Sequence, residues 1–169
     1  MSKLNSINIL LFTFIAVIIQ ITLASYLSFG VFKVDFICAM VGAFLVLTNG
    51  KFAISTAFFA GCVKELFSTH FFGIEILSLC VPAYIFSMII SKTDTLNFFV
   101  RFFLCFVFAF IVFSLYLTFL LISEKSLCFF SNYYIMVLPS SLYTSFFGSF
   151  IYYMLKGFVS QKSAQYELF

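Results

Sequence analysis

The ionisable side chains with the closest spacing lie in one stretch of the chain, where Lys64 and Glu65 are followed by His70 and Glu75. An imidazole and carboxylates could relay protons or bind a metal ion if the fold brought them together. A single His among irregularly spaced carboxylates is more typical of a solvent-exposed loop than of a metal site. We therefore expect a wet loop here, with no metal ion and no cofactor.

The same stretch contains a face of small residues that leads to one of these charges. Ala57, Gly61 and Glu65 follow one another at four-residue spacing, so they share one face of a helix. Small residues let a neighbouring helix approach closely, and Glu65 could accept a hydrogen bond at the end of that face. An embedded charge usually faces a cavity or a partner, which makes Gly61, Lys64, Glu65 and Gly73 a candidate partner or cavity surface. The alternative is that Lys64 and Glu65 only mark the interfacial end of a short helix.

A second polar face lies closer to the C-terminus. Ser141, Ser145 and Ser149 recur at strict four-residue spacing, with Thr144 and Gly148 beside them. In lipid such a face most often packs on another helix. We therefore predict a helix-packing seam of Ser141, Ser145, Gly148 and Ser149, and the alternative is a stripe that lines a path for a solute.

Recognisable catalytic motifs are missing from the sequence. It contains no glycine-rich phosphate loop, no Gly-x-Ser-x-Gly motif and no carboxylate pair in a setting typical of acid–base catalysis. The five Cys form no Cys-x-x-Cys pair, and a free Cys behaves as a small apolar residue. We predict that the protein is not an enzyme and has no catalytic residue.

Composition indicates the environment in which these residues lie. Of 169 residues, 64% are apolar, 9% are charged and 29 are Phe, whereas an ordinary soluble domain is about 25% charged. So few charges cannot cover the surface of a soluble domain, and a disordered chain would be richer in charge. A net charge of +3 without a run of basic residues argues against nucleic-acid binding. The sequence therefore predicts a protein that crosses a lipid bilayer several times.

Six apolar segments follow one another in what we expect to be a single transmembrane domain of residues 1–169. Backbone polar groups must be paired internally in lipid, and the segments lack the alternation of barrel strands, so each should be a helix. The expected helices span residues 7–29, 35–47, 52–67, 74–90, 98–122 and 133–155, and a polar tail spans 156–169. The short second segment could cross the membrane, re-enter it or break a hairpin. We favour a short crossing from which Lys33 and Asp35 reach toward the interface.

The distribution of basic residues predicts the orientation. Because the side richer in Lys and Arg faces the cytoplasm, both termini are expected there. The first apolar segment is longer than the core of a signal peptide, and we expect it to be retained as a helix. With six crossings, the cytoplasmic side carries Lys3, Lys51, Lys92, Arg101, Lys156 and Lys162, and the other side carries Lys33, Lys64 and Lys125.

Two stretches carry a recognisable pattern of small and polar residues. In the first, from Ala57 to Ser68 and on through Phe72-Gly73-Ile74, an apolar helix ends in Gly61-x-x-x-Glu65 and Gly73 opens the next segment. In the second, a Pro-Ser pair at Pro139 stands near the start of the last helix, and Lys156 closes it. Both stretches, together with the overall layout, resemble the MreD family of bacterial rod shape-determining membrane proteins. That family usually has Asp where this sequence has Glu65.

This resemblance implies a non-enzymatic role in the inner membrane, within the complex that elongates the bacterial cell. It implies association with MreC and, through MreC, with the actin-like MreB and the RodA–PBP2 peptidoglycan synthase. It also implies a fold similar to the six-helix substrate-binding component of energy-coupling-factor vitamin transporters. Two alternatives stay open. One is such a vitamin-binding component, with an outward pocket lined by Lys64, Glu65 and His70, and the other is an accessory subunit of an unrelated membrane complex.

Overall fold

The computed structural model describes residues 14–20, 22, 34–48, 53–68, 72–90, 97–124 and 133–166. Regular structure in these ranges is helical and no strand occurs among them, which confirms the predicted all-α fold class. We number the helices in chain order. Helix α1 includes residues 14–20, and the others are α2 Phe36–Leu47, α3 Ala53–Leu66, α4 Ile74–Ile90, α5 Phe98–Glu124 and α6 Tyr133–Tyr166.

The helix bounds follow the apolar segments closely, except at the C-terminus. Helix α4 has the predicted bounds, and α2, α3 and α5 differ from theirs by one or two residues at an end. The prediction ends α6 at residue 155, but the helix continues to Tyr166, through most of the polar tail. Residues 156–166 contain no proline, and a helical backbone pairs its own polar groups whether its side chains are apolar or polar. Loss of hydropathy therefore marks the end of the apolar stretch and not the end of the helix.

Helix α2 is the centre of the bundle. Eleven of its 12 residues, from Phe36 to Val46, are buried, and it contacts α3, α4, α5 and α6. At 1.5 Å per residue the helix is about 18 Å long, well short of the roughly 30 Å hydrocarbon core of a bilayer. Its length does not favour the short crossing that we prefer from the sequence. In this structure α2 is a core helix covered by its neighbours.

Two glycines allow the closest approaches between helices. A Cβ atom at Gly61 would lie 2.8 Å from Cα of Ile76, so α3 can pack this tightly on α4 only without a side chain there. A Cβ atom at Gly148 would lie 3.3 Å from the carbonyl oxygen of Ala39, where α6 packs on α2. The α3–α4, α5–α6 and α2–α6 pairs form the most extensive interfaces of the described helices.

Large apolar side chains occur both inside the bundle and on its outer surface. The core is apolar, yet many large apolar side chains are exposed along α3 to α6, including Phe58, Phe99, Phe103 and Phe146. Several polar and charged side chains lie inside beside the apolar core: Asp35, Thr48, Thr56, Glu65, Glu75, Ser78, Arg101, Ser140, Ser141, Thr144, Ser145 and Ser149 are all buried.

Among the described helices, α5 contains a segment, Phe98–Ile122, that is long and apolar enough to cross a membrane by length and composition. Helices α2 and α4 are apolar but shorter than this.

Candidate functional site

The candidate site is a group of charged side chains enclosed between helix ends. The ammonium of Lys64 lies 2.6 Å from Oδ2 of Asp35 and 2.9 Å from Oε2 of Glu75. The side chains of Lys64, Asp35 and Glu75 are 19%, 7% and 8% exposed. The neighbouring residue Glu65 is also buried. We call Asp35, Lys64, Glu65 and Glu75 the charged cluster.

The paired charges lie at helix ends that favour their signs. Asp35 is the N-cap of α2, where its Oδ1 accepts a hydrogen bond from the backbone N–H of Cys38 at 3.0 Å. Glu75 lies in the first turn of α4, and Lys64 lies in the last turn of α3. A helix carries partial positive charge at its N-terminus and partial negative charge at its C-terminus. Each of these three groups is therefore stabilised by its own helix as well as by its ion pair.

Glu65 joins α3 to the start of α4. Its Oε1 accepts the backbone N–H of Gly73 at 2.7 Å, and its Oε2 accepts those of Glu75 at 3.0 Å and Ile76 at 3.4 Å. These are N–H groups that have no partner within a helix at its first turn. Gly73 has a φ of +107°, which side-chain-bearing residues rarely adopt. Three residues therefore act together here. Gly61 lets α3 and α4 touch, Glu65 caps α4, and Gly73 makes the turn between them.

The remaining helices reach the cluster as well. The ring centroid of Tyr116 on α5 lies 5.6 Å from Nζ of Lys64, a cation–π contact. The hydroxyl of Thr144 on α6 accepts the backbone N–H of Asp35 at 3.3 Å. Gln20 of α1 bonds to both neighbours of Asp35: its side-chain oxygen accepts the next residue's N–H at 2.6 Å, and its amide donates to the preceding carbonyl at 3.3 Å. The six described helices thus all have residues at or beside this cluster.

Every charged group of the cluster is bonded to other groups of the protein. Within the described part of the chain, the buried side-chain nitrogen or oxygen without a hydrogen-bond partner is Nε of Arg101, which belongs to a different region. Two carboxylates, those of Asp35 and Glu75, contact the Lys64 ammonium, and the Glu65 carboxylate accepts hydrogen bonds from backbone amides. These interactions hold helix ends together.

The structure brings the predicted partner or cavity surface together at one end of the α3–α4 pair. Gly61 lies under Ile76, Lys64 and Glu65 are bonded as described above, and Gly73 begins α4. His70 lies outside the described residues. The wet-loop interpretation is wrong for Glu65 and Glu75, because both are buried.

Asp35 is the residue that sequence reasoning places wrongly. We expect its side chain to reach toward the interface, but it is buried and paired with Lys64. An embedded Lys needs a carboxylate partner, and Asp35 stands directly before an uninterrupted apolar helix. That combination could have predicted the Asp35–Lys64 pair from the sequence. The pairing is hard to see there because the two residues are far apart and belong to different segments.

The predicted helix-packing seam lies on the inner side of α6. Ser141, Ser145 and Ser149 are buried, and Gly148 lies against the backbone of α2. Each serine hydroxyl donates to a carbonyl of its own helix, at 2.8, 2.7 and 3.1 Å respectively. With their hydrogen bonds satisfied within α6, these serines form a packing surface and not a stripe of free hydroxyl donors.

No group of His, Cys, Asp and Glu with a metal-binding arrangement occurs among the residues whose placement is described. Comparison of the chain with protein-family models, with curated proteins and with solved structures found no match.

Proposed function

We propose that this protein is a non-enzymatic integral membrane component of the bacterial cell-elongation complex, similar to the MreD family. In this proposal it crosses the inner membrane several times, with both termini in the cytoplasm. It binds MreC, and through MreC it supports MreB and the RodA–PBP2 peptidoglycan synthase. The family resemblance of the Gly61–Glu65–Gly73 pattern supports the proposal, because all three residues serve one purpose, the α3–α4 turn.

The distribution of polarity supports the membrane location. Soluble monomers rarely expose contiguous apolar patches larger than a few hundred Å², and here large apolar side chains are exposed along four helices. Lipid tails satisfy such a surface, whereas water does not. Helix α5, with its segment Phe98–Ile122, has the length and composition that a crossing requires. The shorter α2 fits the same setting because neighbouring helices cover it, and non-spanning chain at membrane depth is tolerated where protein covers it.

The observation that carries the scaffold role is the internal pairing of the charged cluster. Lys64 is bonded to Asp35 and Glu75, and Glu65 is bonded to three backbone amides. A transport or catalytic site would need at least some of these groups to face a substrate. The cluster instead ties together the ends of three helices. Such a fixed bundle is suited to presenting a constant surface to partner proteins.

The vitamin-binding alternative makes a different demand on the same residues. It requires Lys64 and Glu65 to line an outward pocket, together with His70. The bonds that Lys64 and Glu65 form with Asp35, Glu75 and the start of α4 would first have to break. We therefore prefer the scaffold role.

Depletion of the protein in its native bacterium is the deciding test. We expect cells to lose their rod or elongated shape, and a plasmid copy of the gene to restore it. Normal shape after depletion would refute the proposal. Normal shape together with loss of vitamin uptake would favour the transporter component instead.

Co-purification with MreC tests the partner directly. We expect a tagged copy to retain MreC in mild detergent. A protein of the same membrane with no role in shape is the control for non-specific capture. Failure to retain MreC under mild conditions would remove the proposed partner.

A further inference from the structure

Arg101 is a buried cation that no described carboxylate balances. It lies in the first turns of α5 and is 6% exposed, and the ion pairs between described side chains belong to Lys64 instead. Its Nη2 donates a hydrogen bond to the hydroxyl of Tyr153 at 3.1 Å, but its Nε–H has no acceptor. Burying a charge is unfavourable unless it is paired and hydrogen-bonded. A guanidinium in this state indicates a place for an anion.

The aromatic neighbours of Arg101 hold it without neutralising it. Its Cζ lies 4.5 Å from the ring centroid of Tyr152 and 5.1 Å from that of Tyr153, both on α6. Cation–π contacts fix the position of a guanidinium but bring no negative charge. A phosphate group can accept two parallel N–H bonds from the guanidinium fork. Nε is one of the donors of that fork, and it is buried without an acceptor from the protein.

The start of α5 adds a second attraction for an anion. The backbone N–H of Arg101 bonds to the carbonyl of Asn97 at 3.2 Å, so the preceding N–H groups of the first turn have no partner inside the helix. The first turn contains no acidic residue. Arg101 itself lies within one turn of this helix start. An anion at a helix start is favoured by both the first-turn N–H groups and the dipole.

The surface around this place is apolar. Phe98, whose ring stacks on that of Tyr153, is exposed, and so are Phe150 and Met154 of α6. Lys156, also exposed, is three and four residues beyond the two tyrosines and shares their face of α6. A phosphate ester with long alkyl chains fits this surface, because its phosphate can bind the basic residues and its chains can pack on the apolar side chains. A protein carboxylate could bind only the basic residues.

We propose that Arg101, the start of α5 and Lys156 bind the phosphate of an anionic phospholipid. This inference rests on the proposed membrane location. By the expected topology the site lies on the cytoplasmic side, where six basic residues collect, and basic pockets between helices are known places for anionic headgroups.

Native mass spectrometry of the full-length protein in detergent, titrated with phosphatidylglycerol, tests the proposal. We expect the first phosphatidylglycerol to bind at least about tenfold more tightly than phosphatidylcholine, and Arg101→Gln to remove about tenfold of that affinity, as expected for loss of a charge-assisted contact. Lys162→Gln is the matched control, because it removes the same charge from α6 beyond the site. Equal weakening by both variants would mean general attraction to basic charge and would overturn the site.

Three further probes separate the remaining explanations. Arg101→Lys keeps the charge but loses the planar fork, so it should bind several-fold more weakly even if Arg101→Gln does not fold; wild-type affinity would overturn the geometry. Asp94 is the acidic residue nearest to Arg101 in the sequence, and Asp94→Asn should leave lipid affinity unchanged. A clear gain in affinity would identify Asp94 as the counter-ion and overturn the proposal.

Glycerol 3-phosphate binding as tightly as the lipid would indicate a site for a free phosphate ester. A protein that needs no detergent would refute the membrane proposal itself, whereas one that needs detergent but shows no lipid preference would refute only this inference.

Discussion

Replacing Lys64 by Met should destabilise the protein more than any other single change in the charged cluster. Lys64→Met keeps the length of the side chain but leaves Asp35 and Glu75 as buried carboxylates without a cation. Removing one partner of a buried ion pair costs about 3–5 kcal/mol. Lys64 is 19% exposed, so the lower value, about 3 kcal/mol, is appropriate. For a domain of this size that corresponds to a fall in Tm of roughly 6–12 °C.

Glu75→Gln is the matched comparison because it removes a negative charge from the same cluster, whereas Lys64→Met removes the positive one. It leaves the Lys64–Asp35 pair in place, and the amide oxygen can still accept from the ammonium. We expect a loss of about 1 kcal/mol, the usual value of one hydrogen bond. In the Lys64→Met background the sign should change: Glu75→Gln then removes one of two adjacent uncompensated carboxylates, so it should leave Tm unchanged or raise it.

Two buried thiols provide the assay. Cys38 and Cys105 are buried, so a thiol-reactive fluorescent dye should label them only as the protein unfolds in detergent. The other cysteines are first replaced by Ala: Cys62, Cys80 and Cys128. If Glu75→Gln lowers Tm as much as Lys64→Met, or still lowers it in the Lys64→Met background, the carboxylates do not depend on the ammonium and the reasoning is wrong.

Three further predictions use the same preparation or living cells. Glu65→Ala should weaken assembly and lower Tm by more than Glu124→Ala, because it removes the acceptor for three amides at the start of α4; equal effects on dye labelling would remove the reason for singling out Glu65. Gly61→Ala should be more destabilising than Gly42→Ala, by about 1–3 kcal/mol. The new Cβ at Gly61 would lie 2.8 Å from the backbone of Ile76, whereas the Cβ at Gly42 would lie 3.4 Å from a side chain. Similar Tm values for the two variants would contradict this prediction. A reporter fused to the C-terminus should be active in the cytoplasm, and periplasmic activity would show that the orientation is wrong.

Hydropathy predicted the helices well because an apolar run and a helix largely coincide in this chain. Helix α4 has the predicted bounds, and α2, α3 and α5 deviate little. The method fails where the two properties separate: α6 continues to Tyr166 although its side chains become polar. It also treats every apolar run alike, so it cannot distinguish the buried 12-residue α2 from a helix that faces lipid.

Only part of the charged cluster could be predicted from the sequence. The Gly61–Glu65 spacing is local and places both residues on one helix face, and Glu65 was expected to accept a hydrogen bond at the end of that face. The bond between Lys64 and Asp35 is not local, because it depends on how α2 enters the bundle. A one-dimensional pattern cannot report that geometry. The unbalanced charge of Arg101 was hidden for the same reason, since its neighbours Tyr152 and Tyr153 come from α6.

The central position of α2 has a consequence for the order in which the protein is made. Helix α2 is synthesised before α6, but its burial requires α6. At about 5–20 residues per second, the ribosome needs on the order of ten seconds to make the intervening chain. During that interval Asp35 first meets Lys64 and Glu75, when α3 and α4 emerge, and only later Thr144. We therefore expect the ion pairs to hold α2 beside α3 and α4 until α6 covers it.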